Sequence, residues 1–289
     1  MAAWSDGYWS TSDGLRLHFR DYPGDPSRPP ILCIPGLTRN ARDFEGVAER
    51  LSGRWRVICA ELRGRGSSEC AKDPMSYVPP RYADDIEALL AEHGLTRVIL
   101  FGTSLGGIVT MLLAQRGASR IVGAVINDIG PVLEARGLDK IRGYVGRSQN
   151  WPTWLHAARA LAEAQGDRYP DWKIEDWLAY AKRLCKLTPN GRVVFDYDMR
   201  IADPFKVPGG EAGFDMWDAW RALAGVPALL LRGELSDLLS AETEAQMKEE
   251  NPALETVIVP RVGHAPTLDE PVAVEAIEAF LARLEARAA

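Results

Sequence analysis

The sequence predicts an α/β protein built on a mostly parallel sheet with helices on both faces, and three observations carry that expectation. Short apolar runs alternate along the chain with amphipathic stretches of helical spacing. Several runs are apolar at every position, as strands covered on both faces must be. Alternation at every second residue is confined to the first strands, where an antiparallel hairpin is expected. Strand–helix–strand repeats of this kind join parallel strands through right-handed crossovers.

Taken in order, YWST and LRLHFRDY flank a turn at Ser12-Asp13-Gly14. Leu15, Leu17 and Phe19 fall on one side of the second run, with Arg16, His18 and Arg20 on the other, which is the N-terminal antiparallel hairpin. PPILCIPGL holds the third strand. ARDFEGVAERLSG reads as a helix ended by Gly53, and WRVICAEL as a strand. PPRYADDIEALLAEHG is a helix whose apolar face is Tyr82, Ile86, Leu89 and Leu90, with Gly94 as its stop. RVILFG, SLGGIVTMLLAQRG and IVGAVINDIG then give strand, helix and sixth strand.

After Pro131 the rhythm disappears. Residues 131–221 are helical in pattern and hold six of the nine tryptophans, Trp151, Trp154, Trp172, Trp177, Trp217 and Trp220. A helical cap inserted after the sixth strand is expected there. The rhythm returns in VPALLLRGEL, SAETEAQMKEENP and LETVIVPRVG. It ends in a helix with Val274, Ile277, Leu281 and Leu284 on one face. The expected organisation is a core of residues 1–130 and 222–289 carrying a cap of residues 131–221.

A chain of 289 residues can bury one large core and a deep pocket. Its net charge of -6 and lack of a basic block argue against nucleic acid or an anionic membrane as partner, and leave a small-molecule substrate. Oligomeric state is left open between a monomer and a homo-oligomer. Cys33, Cys59, Cys70 and Cys185 lie far apart without a C-x-x-C pair, so neither a zinc site nor a disulfide framework is expected. The opening MAAWSDGYWS has neither a basic nor an apolar leader region, and no apolar run reaches spanning length, so a cytoplasmic location is expected.

In a parallel sheet, ligands bind beyond the carboxyl ends of the strands. Gly102-Thr103-Ser104-Leu105-Gly106, at the end of RVILFG, fits the G-x-S-x-G turn that exposes a serine between strand and helix. A serine hydroxyl needs an adjacent base, and His264 follows the last strand. The imidazole needs an orienting carboxylate, and Asp237 follows VPALLLRGEL; Asp128, after the sixth strand, and Glu234 are the alternatives. The amides of Leu37, after ILCIPG, and Leu105, at a helix start, are the candidate oxyanion donors.

The order serine, acid, histidine on separate strand ends, the serine turn, the Pro35-Gly36-Leu37 loop and the insertion after the sixth strand together resemble the α/β-hydrolase fold family along nearly the whole chain. The resemblance implies Ser104 as nucleophile, His264 as general base then acid, Asp237 as orienting acid, and Leu37 and Leu105 as oxyanion donors. Some members place the acid where Asp128 stands, and many carry His-Gly where this chain has Pro35-Gly36. Serine at the elbow argues against haloalkane dehalogenases and epoxide hydrolases, which use a carboxylate there. The absence of an S-G-x-G-A loop places C–C bond hydrolases below ester or lactone hydrolases, and a proline iminopeptidase elbow is absent as well. The expectation is therefore a serine hydrolase, an esterase cleaving a small, largely apolar carboxylic ester through an acyl-enzyme, with no cofactor and no metal. A lactonase or C–C hydrolase on the same triad is the alternative within the fold, and a catalytically slow ligand-binding receptor the alternative from another class. Thr38, Arg39, Trp151 and Trp154 are expected to bind substrate, the tryptophans as an apolar wall and Arg39 as a partner for a carboxylate.

Overall fold

The computed structural model describes residues 4–207 and 215–288. The hairpin is β1 (Ser5–Ser10) paired antiparallel with β2 (Arg16–Tyr22). There follow β3 (Ile31–Ile34), a 3-10 turn and α1 (Glu45–Leu51), β4 (Val57–Glu61), α2 (Pro79–Glu92), β5 (Val98–Thr103), α3 (Leu105–Gly117) and β6 (Ile121–Asn127). The segment after β6 holds α4 (Ala135–Tyr144), β7 (Asn150–Trp151), α5 (Trp154–Gln165), α6 (Ile174–Leu184), β8 (Cys185–Leu187), β9 (Val193–Phe195) and α7 (Trp217–Arg221). β10 (Ala228–Gly233), α8 (Ala241–Glu250), β11 (Leu254–Val259) and α9 (Pro271–Ala288) complete the chain.

The main sheet runs β1-β2-β4-β3-β5-β6-β10-β11. β2 meets β4 antiparallel, and every pairing from β4 to β11 is parallel. Alternate strand residues serve two cores. Leu32, Ile58, Leu100 and Ile126 pack on one face with α2 and α3, while Cys33, Cys59, Phe101 and Val125 pack on the other with α1 and α9. Such strands must be apolar at every position, which is why their sequence is a run rather than an alternation.

The inserted segment departs from the wholly helical cap expected of it. It contains a small antiparallel sheet of order β7-β9-β8. These strands have two or three residues each, too few for a period of two to register in the sequence. Residues 208–214 of the expected cap lie outside the described residues. No described helix is long and apolar enough to cross a membrane.

His18 departs too. Expected on the polar side of the hairpin, it is instead buried, because β2 is an internal strand with the chain after Glu61 folded over it. Its Nδ1 meets Glu61 Oε2 at 2.9 Å and its Nε2 meets Asp6 Oδ1 at 2.7 Å. Burial alone would lower its pKa, but the bonds and charges of Glu61 and Asp6 outweigh burial and hold it above the ordinary 6.5. The imidazolium is therefore favoured by the fold. Its stabilising contribution is complete below the unfolded-state value and is lost as pH rises through the elevated native one. Thermal melts at about pH 6 and about pH 8.5 should show the native protein losing more Tm on going alkaline than His18→Gln does. Equal losses in the two proteins would remove His18 from the pH dependence.

Candidate active site

Ser104 joins β5 to α3 at φ 52° and ψ -116°, a conformation that L residues adopt at a cost of about 1–3 kcal/mol. The surrounding glycines make the turn possible. A Cβ on Gly102 would lie 2.5 Å from Gly106 O, and one on Gly106 would lie 1.9 Å from Ile34 O. Strand and helix can close to this distance only without those side chains. The result is a serine whose Oγ stands clear at the carboxyl end of the sheet, 2.9 Å from His264 Nε2.

The other imidazole nitrogen meets a different carboxylate from the one expected. His264 Nδ1 lies 2.8 Å from Asp128 Oδ2. Asp128 directly follows β6 at φ 54° and is fully buried. Its Oδ1 accepts the Gly233 amide at 2.8 Å, and its Oδ2 also accepts the Ser236 hydroxyl at 2.7 Å. The sequence-based choice of Asp237 is corrected. Asp237 lies four residues beyond the end of β10, where its carboxylate pairs with Lys140 Nζ at 2.6 Å, and Ser236 is the residue of that turn that reaches the site. Glu234 is exposed and accepts the amide of Arg261. This arrangement leaves Nε2 facing the Ser104 hydroxyl, the geometry that a serine nucleophile requires of its base.

Gly36 abuts the serine, since a Cβ built on it would lie 3.7 Å from Ser104 Cβ. The amides of Leu37 and Leu105 donate to no protein group among the described residues, which leaves both free for a ligand oxygen. A residue the sequence reading passed over holds this loop. Arg65 is fully buried and forms no ion pair among the described residues. Its Nε and Nη2 fork onto Leu37 O at 2.9 and 2.8 Å, its Nη1 donates to Arg63 O, and its guanidinium covers the Tyr82 ring at 4.7 Å. Nothing in the pattern of R-G-R-G distinguishes this arginine from a solvated one.

A cavity of about 500 Å³ opens over Ser104 and His264, within the range of small-molecule sites. Thr38 and Arg39 line it. Trp151 and Trp154 do not, and this is a second correction. Trp151 is held in the small sheet and meets Phe195 edge-on at 5.1 Å, so Phe195 faces the cavity in its place. Trp154 is half-buried against the apolar cluster that also holds Leu161 and Tyr169. The inner aromatic layer is tyrosine: Tyr144, Tyr169, Tyr180 and Tyr197 line the cavity, and Trp172 stacks behind Tyr169 at 3.8 Å. Tyrosine fits the inner position because its hydroxyl finds partners there, Tyr169 donating to Ala265 O at 2.7 Å and Tyr180 to Gln165 Oε1 at 3.1 Å. Arg39, Arg147, Arg168 and Arg183 also face the cavity, among apolar residues such as Leu161, Leu184, Phe195 and Leu268.

Residues 31–277 match the profile of the Alpha/beta hydrolase family. The chain is 35% identical over 269 residues to a 3-hydroxybutyrate-oligomer hydrolase of Cupriavidus necator, covering 89% of each chain. It is 29% identical to a 2-(acetamidomethylene)succinate hydrolase of Mesorhizobium japonicum over 82% of each. A crystal structure of an alpha/beta hydrolase from Novosphingobium aromaticivorans superposes with a TM-score of 0.94 at 58% identity, covering 98% of this chain and 99% of that one.

Two substitutions test this geometry. Asp128→Asn should lower kcat for hydrolysis by about 10⁴, as loss of the orienting carboxylate does elsewhere, whereas Asp237→Asn should leave kcat nearly unchanged and cost roughly 0–1 kcal/mol of stability. The reverse ranking would return the acid to Asp237. Arg65→Lys keeps the charge but loses the fork on Leu37, and should lower kcat more than it raises KM; an effect confined to Tm would make Arg65 structural only.

Proposed function

The chain belongs to the α/β-hydrolase family, and from that premise we propose that it cleaves a short ester of a hydroxy acid through an acyl-enzyme on Ser104. The observation that carries the reading is the unbroken hydrogen-bond chain Ser104–His264–Asp128 at the floor of the cavity. His264 Nε2 takes the Ser104 proton as Oγ bonds to the ester carbon. The carbonyl oxygen, now an anion, lies against the amides of Leu37 and Leu105. Collapse breaks the carbon–oxygen bond to the alcohol, which leaves with the proton from His264. Water, deprotonated by the same nitrogen, then releases the acid and restores Ser104.

The substrate class has two supports. The relative from Cupriavidus necator is named for hydrolysis of 3-hydroxybutyrate oligomers and aligns over most of both chains. The cavity sets arginines and tyrosine hydroxyls among its apolar residues, which suits a short ester that carries a carboxylate. A slow binding protein would have no need of a strained serine at φ 52° held to a histidine.

An organophosphorus probe should modify Ser104 stoichiometrically, and Ser104→Ala should abolish both labelling and the hydrolysis of 3-hydroxybutyrate oligomers. A panel of hydroxy acid oligomers, simple esters, lactones and C–C diketones should rank the first group highest. Labelling at another residue would sink the acyl-enzyme, and a panel led by diketones would sink the ester.

A further inference from the structure

Four arginines face the cavity, and their charges are not equivalent. Arg39 is committed: its guanidinium forks onto Asp43, with Nη2 2.6 Å from Oδ1, and its remaining Nη1 donates to Tyr180. Arg183 is paired with Asp269 at 2.8 Å. Arg147 forms no ion pair among the described residues, but it is exposed at the rim, where water screens it. Arg168 is different. It is mostly withdrawn from solvent and is in no ion pair among the described residues; its side chain makes a long contact of Nη1 with His264 O at 3.4 Å and stands 5.7 Å from the centre of the Tyr144 ring, neither of which supplies a carboxylate. Asp237 acts on it only at longer range and is already paired with Lys140.

The place of Arg168 is fixed from both sides of the histidine. The Gly263 amide donates to Arg168 O at 2.7 Å, and the next residue, Tyr169, donates to Ala265 O. A Cβ on Gly263 would stand 3.0 Å from Arg168 Cα, so the two chains run in contact. The guanidinium therefore sits on the histidine side of the cavity. Arg39, with its charge spent on Asp43, follows the Leu37 loop instead.

We infer that Arg168 is the binding site for the carboxylate of the departing hydroxy acid, so that the enzyme removes units from the carboxyl end of its substrate. The inference rests on the ester-hydrolase reading above and adds a direction to it. When the ester carbon–oxygen bond breaks, the alkoxide oxygen takes the proton from His264 Nε2, so the leaving group must lie against the histidine. In a 2- or 3-hydroxy acid the carboxylate is two or three bonds from that oxygen, at about 1.5 Å per bond, and so falls on the side where the uncommitted guanidinium stands. A planar fork meets a carboxylate with two parallel bonds. The acyl part, turned towards Leu37, meets no uncommitted buried cation and needs no charge.

The test separates the two ends of the substrate. The ratio of kcat/KM for a free-acid hydroxybutyrate dimer to that for its methyl ester should fall roughly 10- to 100-fold in Arg168→Gln and recover in part in Arg168→Lys. A trimer labelled in its carboxyl-terminal unit should release the label first as monomer. Binding of free 3-hydroxybutyrate to Ser104→Ala, measured by calorimetry, should weaken at least tenfold when Arg168→Gln is added, and this arm reads the site even if no ester is turned over. A parallel loss for the acid and its methyl ester would make Arg168 only a support of the His264 loop. Label appearing first in the dimer, or unchanged 3-hydroxybutyrate binding, would overturn the carboxylate site. Failure of the native protein to cleave any ester, with product binding still dependent on Arg168, would overturn the ester reading instead.

Discussion

The site depends on one carboxylate. Asp128 has no contact with solvent, so the protein itself must meet its charge. It does so with donors from the end of β10, from the turn after it and from the loop after β11. Those segments converge because β6, β10 and β11 are neighbours in the sheet. The backbone at Asp128 is held at positive φ, as it is at Ser104, which terminates the adjacent β5. Asn127 ties the pair together, its Nδ2 reaching both Thr103 Oγ1 and Pro266 O. Two strained residues at neighbouring strand ends are thus fixed by bonds to each other's surroundings, and His264 is the piece that spans them.

Much of this arrangement was legible in the sequence. The apolar runs of β3 to β6 and of β10 were readable because both faces of those strands are covered, and Ser104 because its glycines are demanded by backbone contacts of about the size of a missing Cβ. The acid was not, since Asp128 and Asp237 both lie just past the ends of adjacent strands and differ in what their side chains meet. That depends on the turn conformation after each strand, to which a one-dimensional pattern is blind. Tryptophan content located an aromatic insertion but not its orientation, and tyrosines whose hydroxyls bond within the cavity took the inner layer. Arg65 was passed over and His18 assigned to the polar side of the hairpin for a related reason: a buried polar group whose donors are all met looks, in sequence, like a surface residue.

The cavity uses a similar economy of charge. An arginine in a concave, partly dry site is costly when alone, and two of the four are neutralised by a carboxylate of the protein itself, Asp43 or Asp269. Neutralisation leaves those side chains as rigid polar walls rather than ligand sites. Against that background an arginine without a carboxylate acquires meaning, because a ligand that supplies one recovers both the ion pair and the lost hydrogen bonds.

The insertion and the core are therefore coupled at a defined seam. The core supplies Ser104, His264 and Asp128, and the insertion supplies Arg168 and all four lining tyrosines. Were these independent, the insertion would decide only what binds. Yet Arg168 O and Tyr169 Oη are bonded to Gly263 and Ala265, the residues on either side of His264. The histidine's position is then set jointly, by Asp128 from beneath and by the insertion from above. A ligand that draws the Arg168 side chain towards itself acts on the stretch of chain that carries His264. On the proposed reading, ligand binding at Arg168 and the placing of His264 share one short stretch of backbone, so changes there should move KM and kcat together, whereas changes at the small β7-β9-β8 sheet can reach the reaction only through the cavity's shape.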